Sequence, residues 1–340
     1  MADNTHDRSL VTFALFAYNQ EKYIREALEG AFAQTYEPLE IILSDDFSSD
    51  GTFEIMLEMA SKYDGPHKII KRQNKTNMGT LLHVKKVTEC MSGSLIVFAA
   101  GDDISYPNRV EKIYDTWKES GSWGIFSDFS EIDQYGLITS SHKKNYYIAS
   151  PSYKLKAYML GNVKVNSITH GATSAYDSML FDYLSKTDNN YILSEDGALS
   201  VLLHILGKTV SYLEEPLVKY RSHDESLTNA TGRRLSWAQL LNAEKKIAKF
   251  ALSQSNRCLF FIECNKKFNN HSQVRVDVEL LQKDYESHLI IANWWGLPLA
   301  ERIVNLLKTK GAARRWMLPR LLPRKLFLFG KYLRDLLYRR

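Results

Sequence analysis

The stretch FAYNQEKYIREALEGAFAQTYEPLEIILSDDFSSDGT, Phe16–Thr52, reads as a strand, a helix and a second strand in succession. In its middle part Ile24, Ala27, Leu28 and Ala31 recur at helical spacing, whereas LEIILSDD is a short apolar run that ends on two acids. This order is typical of βαβ units around a mostly parallel sheet. We therefore predict an α/β fold.

The same alternation continues along much of the chain. HKIIKRQN and SLIVFAAGDD predict a third and a fourth strand, WGIFSDFSEID a fifth, and KTVSYLEEPLVKYRSH the last strands of this part. From about Ser236 the strand pattern stops and helical periodicity follows. We therefore expect a domain over residues 1–232, a helical extension over 233–307 and a tail over 308–340.

The composition is that of a globular protein outside the secretory route. The chain has 340 residues, of which 44% are hydrophobic, enough to build a core. Its first residues, MADNTHDRSLVTF, lack the basic and apolar regions of a signal peptide, and no run reaches the roughly 20 apolar residues that span a bilayer. Three cysteines at spacings that match no common zinc site favour a reducing compartment. We expect a cytoplasmic protein.

The net charge of +5 is unevenly distributed. From Lys308 to Arg340 there are eleven basic residues and one acid, Asp335, so the rest of the chain carries a net charge of −5. An acidic body with a basic tail argues against a nucleic-acid surface and for a localised contact with an anionic partner.

Two adjacent aspartates follow two of the predicted strands, Asp45–Asp46 and Asp102–Asp103. Neighbouring anions repel, and burying either one is costly without a partner. In open α/β sheets ligands bind beyond the carboxyl ends of the strands, where Mg²⁺ or Mn²⁺ can bridge a carboxylate and substrate phosphates. The alternative is that the second pair caps the helix predicted in YPNRVEKIYDTWKES, although Ser105 or Asn108 lies closer to its start.

The opening stretch resembles family 2 glycosyltransferases, inverting enzymes that use nucleotide sugars and have a GT-A fold. NMGTLLHVKKV, FAAGDDIS, SEDGALSVLLHILG and YRSHDES follow in the order that this family uses, so the resemblance covers about Ser9 to Ser226. It implies a Rossmann-like nucleotide-sugar-binding mixed sheet flanked by helices, followed here by an α-helical C-terminal extension. A dinucleotide enzyme would instead have G-x-G-x-x-G after the first strand, where this chain has FAYNQEK.

The resemblance implies a donor site after the first three strands. Tyr18 would stack on a uracil and Asp46 would accept its imide N–H, with Asp45 beside this contact and Asn77 on the same side. Core packing is the alternative for Tyr18. Lys85 departs from the family pattern, and either reaches the diphosphate or faces solvent.

The GDD segment corresponds to the D-x-D element of the family. Asp103 would coordinate Mn²⁺ or Mg²⁺, and Asp102 would bond the ribose or the donor sugar. His223 matches a late histidine that contacts the metal or the diphosphate; a surface histidine is the alternative. Arg221 would neutralise the diphosphate, or is a solvated charge at a strand end.

Glu195 and Asp196 match the acidic pair that opens a helix near the acceptor. Asp196 would be the general base that removes the proton of the acceptor hydroxyl, with Glu195 beside it as a second catalytic carboxylate. Two acids also stabilise a helix N-terminus through the helix dipole, and this simpler reading is compatible with either role. HGATSAY, His170–Tyr176, lies where the family has an acceptor-side loop.

The C-terminal stretch RRWMLPRLLPRKLFLFGKYLRDLLYRR interleaves basic and apolar residues. This pattern is typical of a helix that lies in the interface of an anionic membrane, here the inner face of the cell membrane. Packing of the tail on the acidic body is the alternative.

These patterns predict an inverting, metal-dependent glycosyltransferase of surface polysaccharide (O-antigen or capsule) assembly. It would move one sugar from a nucleotide sugar, a UDP-sugar by resemblance, to a lipid-linked oligosaccharide. The Q/R-x-x-R-W element of processive synthases is absent, which favours a single addition. The alternative is an inactive nucleotide-sugar-binding paralogue that recruits partners. The donor base and sugar stay open.

Overall fold

The first part of the chain is a mixed sheet with helices on both faces. The computed structural model describes residues 8–143, 152–154, 171–222, 237–268, 276–309 and 311–338. In these ranges the strands are β1 (Val11–Ala17), β2 (Leu39–Asp45), β3 (Lys68–Gln73), β4 (Leu95–Ala100), β5 (Ile104–Ser105), β6 (Gly124–Ile132), β7 (Ile138–Lys143), β8 (Ser152–Lys154), β9 (Ser174–Asp177) and β10 (Thr209–Arg221). The helices are α1 (Ile24–Phe32), α2 (Thr52–Ser61), α3 (Thr80–Thr88), α4 (Arg109–Ser120), α5 (Met179–Leu184), α6 (Glu195–Ile205), α7 (Trp237–Phe268), α8 (Val278–Asn293), α9 (Leu299–Lys308), α10 (Gly311–Met317) and α11 (Arg324–Tyr338).

All of these strands belong to one sheet. Their order is β3-β2-β1-β4-β9-β6-β10-β5, with β7 pairing with β6 and β8 with β10. The first four are parallel, β9 runs antiparallel between β4 and β6, and β10 is parallel to β6. The carboxyl ends of β1, β2, β4 and β10 therefore meet at one edge. The predicted α/β class with a mixed sheet is confirmed.

The core lies on both faces of β1, as a central parallel strand requires. On one face Phe13 and Leu15 pack with Leu28 of α1, Met56 of α2 and Ile113 of α4. On the other face, α3 and α5 meet the sheet through aromatic edge and tilted contacts, Phe16 with His83 and Phe98 with Phe181. Helices therefore cover both faces of the sheet beside β1.

The chain divides into two compact units, residues 1–227 with 260–277, and residues 228–259 with 278–340. The second unit has its own small core of Trp294, Leu306 and Met317. This core joins residues on both sides of the border predicted at residue 307, whereas the borders themselves stay predictions. Among the helices of the described residues, none combines the length and the apolar character needed to cross a membrane.

Candidate functional site

The loops after β1 and β2 are tied together at the carboxyl edge of the sheet. The backbone N–H of Asn19 donates to Ser48 Oγ at 2.8 Å, and the side chain of Asn19 accepts the N–H of Ser49 at 2.8 Å. Tyr18, at the end of β1, is 46% exposed, so the core-packing alternative for this residue is wrong. Phe47, in the neighbouring loop, is 51% exposed. Two aromatic faces are thus available beside the first aspartate pair.

Protein N–H groups saturate the first aspartate pair. Asp46 accepts the side-chain amide of Asn74 at 2.7 Å and the backbone N–H groups of Met78 and Gly79, both at 2.9 Å. Gly79 has φ of 75°, a conformation that favours glycine and turns these N–H groups toward the carboxylate.

Asp45 has a similar role in the adjoining loop. It accepts the Ser48 N–H at 2.8 Å and the Gln73 amide at 2.9 Å, together with the Ser48 hydroxyl. Each carboxylate therefore shapes the chain that surrounds the predicted base site, and Asn77, exposed between them and α3, accepts the Gly79 N–H at 3.2 Å.

The second aspartate pair lies in the turn between β4 and β5. Asp103 is buried and accepts the backbone N–H of Arg221 at 2.8 Å. Burial, and then the neighbouring charge of Asp102, raise the pKa of Asp103 well above its ordinary value, although Arg109 and Arg221 oppose this rise. Asp102 is less buried and its carbonyl accepts Arg221 Nε at 2.8 Å. Arg109 and Arg221 thus offset only part of the cost of burying the Asp103 carboxylate.

Neither aspartate of this pair caps α4. The helix begins at Arg109 after Asn108, whose side chain makes no capping bond, and the N–H of Val110 in its first turn donates to Gln34 Oε1 at 3.1 Å. Ser105, the other predicted cap, instead accepts the Arg109 guanidinium at 2.9 Å. The capping alternative for Asp102 and Asp103 is therefore wrong.

The GDD turn fits a divalent cation that is shared with a ligand. Hard carboxylate oxygens are what Mg²⁺ and Mn²⁺ prefer, and such ions commonly use one or two protein carboxylates together with phosphates. The incompletely offset charge of Asp103 and the partial exposure of Asp102 agree with this mode of binding. Within the described ranges no group of three or more His, Cys, Asp or Glu side chains could hold a metal by itself. His223, the predicted additional ligand, lies outside the described residues.

The third acidic pair opens α6. Burial, and then the charge of Asp196, raise the pKa of Glu195 to about 7, while a hydrogen bond with the Thr80 side chain opposes this rise. Asp196 accepts the N–H of Gly197 at 2.6 Å, at the positive end of the helix dipole. Of the two carboxyl groups, Glu195 is thus placed to change its ionisation near neutral pH.

A chain of contacts brings the three acidic pairs to one site. The Arg109 guanidinium, which attracts Asp103, donates to the carbonyl of Ala172 at 2.9 Å. A Cβ atom at the preceding Gly171 would lie 2.6 Å from Glu195 Oε1, so this carboxyl packs directly on the loop.

From Glu195 the chain of contacts continues to the first pair. Thr80, which bonds Glu195, directly follows Gly79, and the N–H of Gly79 donates to Asp46. Arg109, Thr80 and Gly171 were not among the predicted site residues, because a buried arginine at a helix start, a threonine and a glycine have no local signal that distinguishes them.

Lys85 lies away from the predicted diphosphate site. Its ammonium donates to the carbonyls of Thr187 and Asp188 at 2.9 and 3.3 Å and to Asn189 Oδ1 at 2.7 Å. Burial lowers its pKa, and all three of its N–H groups have protein acceptors. Both expectations, a diphosphate contact and a solvent-facing charge, therefore need correction: Lys85 holds the segment that leads into α6.

Arg221 is likewise turned into the protein. Its side chain is inaccessible to solvent and donates to Glu26 at 3.0 Å, while its guanidinium lies over the ring of Tyr23 at 4.8 Å. The alternative of a solvated charge is wrong, and a diphosphate contact would require this ion pair to open. His170 of the predicted acceptor-side loop is outside the described residues, whereas Gly171–Thr173 form one turn of 3₁₀ helix beside Glu195.

Comparisons with known proteins match the chain to one sequence family. The sequence model of the family described as "Glycosyl transferase family 2" matches residues 12–184. A protein of Haemophilus influenzae named "Uncharacterized glycosyltransferase" is 31% identical over 222 residues, covering 63% of this chain and 66% of that protein.

Solved structures share the fold. TarS of S. aureus, residues 1–349 in complex with UDP, has a TM-score of 0.54 at 14% identity, covering 96% of this chain and 88% of that one. The mannosyltransferase PcManGT of Pyrobaculum calidifontis, in complex with GDP-Man and Mn²⁺, has a TM-score of 0.51 at 14% identity and covers 100% of this chain and 90% of that one.

Proposed function

This chain belongs to glycosyl transferase family 2 and is a glycosyltransferase, and we propose that it inverts the anomeric centre while moving one sugar from a UDP-sugar to a hydroxyl of a lipid-linked oligosaccharide. The observation that carries this proposal is the convergence of three acidic pairs at the carboxyl edge of the sheet. They are Asp45–Asp46, Asp102–Asp103 and Glu195–Asp196.

The donor side is assigned to the first two pairs. We place the base between the exposed ring of Tyr18 and the loop that Asp46 holds, and the diphosphate near Asp103. Support comes from the solved structures with this fold, which hold UDP, UDP-GlcNAc or GDP-Man with Mn²⁺. When bound, Mn²⁺ or Mg²⁺ at Asp103, with His223 as a further ligand, supplies positive charge for the diphosphate leaving group. Asp102 is assigned to the ribose or the donor sugar.

The acceptor side is assigned to the third pair. The Asp196 carboxylate accepts the proton of the acceptor hydroxyl. At the same time the oxygen of that hydroxyl forms a bond to the anomeric carbon, and the bond from this carbon to the diphosphate breaks on the opposite face. Glu195 lies next to this base, whose charge contributes to the raised pKa of Glu195. Lys85 positions both residues by fixing residues 187–189 ahead of α6.

The lipid-linked acceptor and the role in O-antigen or capsule assembly rest on the basic, apolar C-terminal stretch and on the family resemblance. We propose that the enzyme works on the cytoplasmic face of the cell membrane as a peripheral protein, with residues 308–340 contributing to its attachment.

A panel of nucleotide sugars tests the donor assignment. Thermal unfolding is recorded for each donor with and without Mn²⁺, since a ligand at about 100 times its Kd stabilises a fold by about 2.7 kcal/mol. We expect stabilisation by UDP-sugars that increases with Mn²⁺, and slow release of UDP. Equal thermal stabilisation by donors with different bases, with and without Mn²⁺, would contradict the proposal.

The same panel separates the enzyme from an inactive paralogue. Wild type and D196N are compared for donor stabilisation and for transfer to an extract of lipid-linked oligosaccharides. We expect both proteins to bind donor and only wild type to form product. Donor binding by both without product from either would favour the partner-recruiting module.

A further inference from the structure

Helix α9, Leu299–Lys308, has one broad apolar face. One edge of this face is packed, since Leu306 is buried in the core of the second unit with Trp294 and Met317. The rest of the face has exposed apolar residues at i, i+4, i+5 and i+8. They are Leu299 (52% exposed), Ile303 (42%), Val304 (46%) and Leu307 (66%). A continuous apolar stripe in water usually marks a binding surface.

Helix α11, Arg324–Tyr338, repeats this arrangement. Leu328 is buried on the inner side at 1% exposure. The outer side, together with the residue two positions before the helix, has a second exposed stripe formed by Leu322, Leu326, Phe329 and Leu333. Both stripes belong to the second unit, and no contact within the described residues buries either of them.

Exposed cations accompany the two stripes. Lys308 directly follows Leu307 and Lys325 directly precedes Leu326, and Arg314 and Arg315 are exposed between the two helices. Residues 308–340 contain eleven basic residues and one acid. Two of these basic residues, Arg320 and Lys331, pair with Glu244, and Arg320 is buried, so the exposed cations carry the charge of this surface. A second copy of this chain on the same surface would bring like charges together, whereas an anionic bilayer complements both the charge and the apolar stripes.

We infer that the exposed apolar stripes of α9 and α11 form one lipid-binding surface that takes an anionic bilayer as its partner. The surface is built on a folded helical unit and begins at Leu299, ahead of the predicted tail. Its apolar residues enter the acyl boundary while the Lys and Arg side chains reach the headgroups. This inference rests on the proposed function, because a lipid-linked acceptor gives the surface its purpose.

Flotation of the full chain with vesicles tests the surface. One set of vesicles contains phosphatidylcholine with phosphatidylglycerol, and the other contains phosphatidylcholine alone. We expect wild type to float with the anionic vesicles and to be released by salt, and L307E to bind them roughly tenfold more weakly. L137E is the matched control, since Leu137 in the first unit is 67% exposed and Leu307 is 66% exposed. L326E repeats the test on α11 if L307E fails to fold.

Equal flotation of L307E and L137E, or no flotation of wild type, would overturn the inference. So would a wild-type dimer that L307E dissociates in sedimentation, because the stripes would then bind a second copy. Flotation uses neither donor nor acceptor, whereas donor-dependent thermal stabilisation is measured without vesicles. A failed transferase assay with intact flotation therefore refutes the proposed reaction alone, and lost wild-type flotation with intact donor binding refutes the surface alone.

Discussion

The same dipeptide, two aspartates, stands at the carboxyl ends of the parallel strands β2 and β4, yet the surroundings of the two pairs differ. Asp46 accepts three N–H groups from residues 74–79, and Asp45 is bonded to Ser48 and Gln73. Asp103 is buried with Asp102 beside it, and its pKa is raised despite two nearby arginines. The protein therefore satisfies the first pair, whereas burial disfavours the charged form of Asp103, which a bound cation would favour. Adjacent acids in a sequence thus have no single meaning.

The largest expected effect is the loss of transfer in D103N. Removing this carboxylate from the leaving-group side costs several kcal/mol of transition-state stabilisation, roughly a thousandfold in rate.

The fold of D103N should gain stability at neutral pH without metal. The pKa of Asp103 in the folded state lies above its unfolded value of 3.8. The contribution of this carboxyl to the free energy of unfolding is therefore lost as pH rises through the folded pKa, and D103N does not show this loss. Transfer rates and unfolding curves from acid to neutral pH test both points. Full activity in D103N would contradict the metal role.

The opposite sign is expected for D46A. The change leaves three donors without their acceptor, the Asn74 amide and the N–H groups of Met78 and Gly79, at a cost of about 2–3 kcal/mol. Urea unfolding measures the cost, and D46N, which keeps one acceptor oxygen, should lose less. If D46A and D103N shift the stability in the same direction, the contrast between the two pairs is wrong.

Lys85→Met tests how the third acidic pair is held. Without the three bonds to residues 187–189, α6 loses its anchor, so kcat should fall roughly tenfold while the Kd of the donor stays unchanged. Lys86→Met is the matched control, because Lys86 is 44% exposed and pairs with Glu89 three residues on. K85R should recover part of kcat. If Lys85→Met instead binds the donor more weakly while its kcat is unchanged, the result would support the diphosphate contact that the sequence predicts for Lys85.

E195Q should change pH profiles more than rates. The pKa of Glu195 is raised from 4.5 to about 7. The contribution of Glu195 to the free energy of unfolding is therefore complete below pH 4.5 and is lost as pH rises toward 7. E195Q should flatten this slope, measured as Tm against pH. It should also remove a step near pH 7 from the kcat profile, whereas D196N should abolish transfer at every pH. An unchanged Tm slope in E195Q would show that Glu195 does not titrate in this range.

The smallest expected effect comes from backbone strain at Phe47, in the loop after β2. Phe47 has φ of 65°, a conformation that costs an L-residue about 1–2 kcal/mol and glycine much less. Because the side chain is half exposed, F47G should raise the unfolding free energy by up to about 1 kcal/mol. If the exposed ring contacts the base, the same change should weaken donor binding, since stacking on an aromatic side chain contributes about 1–3 kcal/mol. A lower Tm in F47G would show that the Phe47 ring packs more than its exposure suggests.

Local patterns were enough to predict the fold class and the edge where the site lies. Apolar runs, helical spacing and acids at strand ends depend on residues near one another in the chain, so the strands β1, β2 and β4 and the pairs at their ends follow from periodicity. The exposed ring of Tyr18 also agrees with its predicted place at the end of β1.

The partners of the charged side chains were decided by tertiary structure alone. Lys85 meets residues more than 100 positions away, Arg221 bonds Asp103 and Glu26, and Arg109 reaches Ala172. A sequence shows that a charge exists, but its energy depends on burial and on which donors the fold brings within about 3 Å. By itself the sequence therefore determined which acids stand at the carboxyl edge, and only the folded chain decided that protein N–H groups satisfy Asp46 while burial raises the pKa of Asp103.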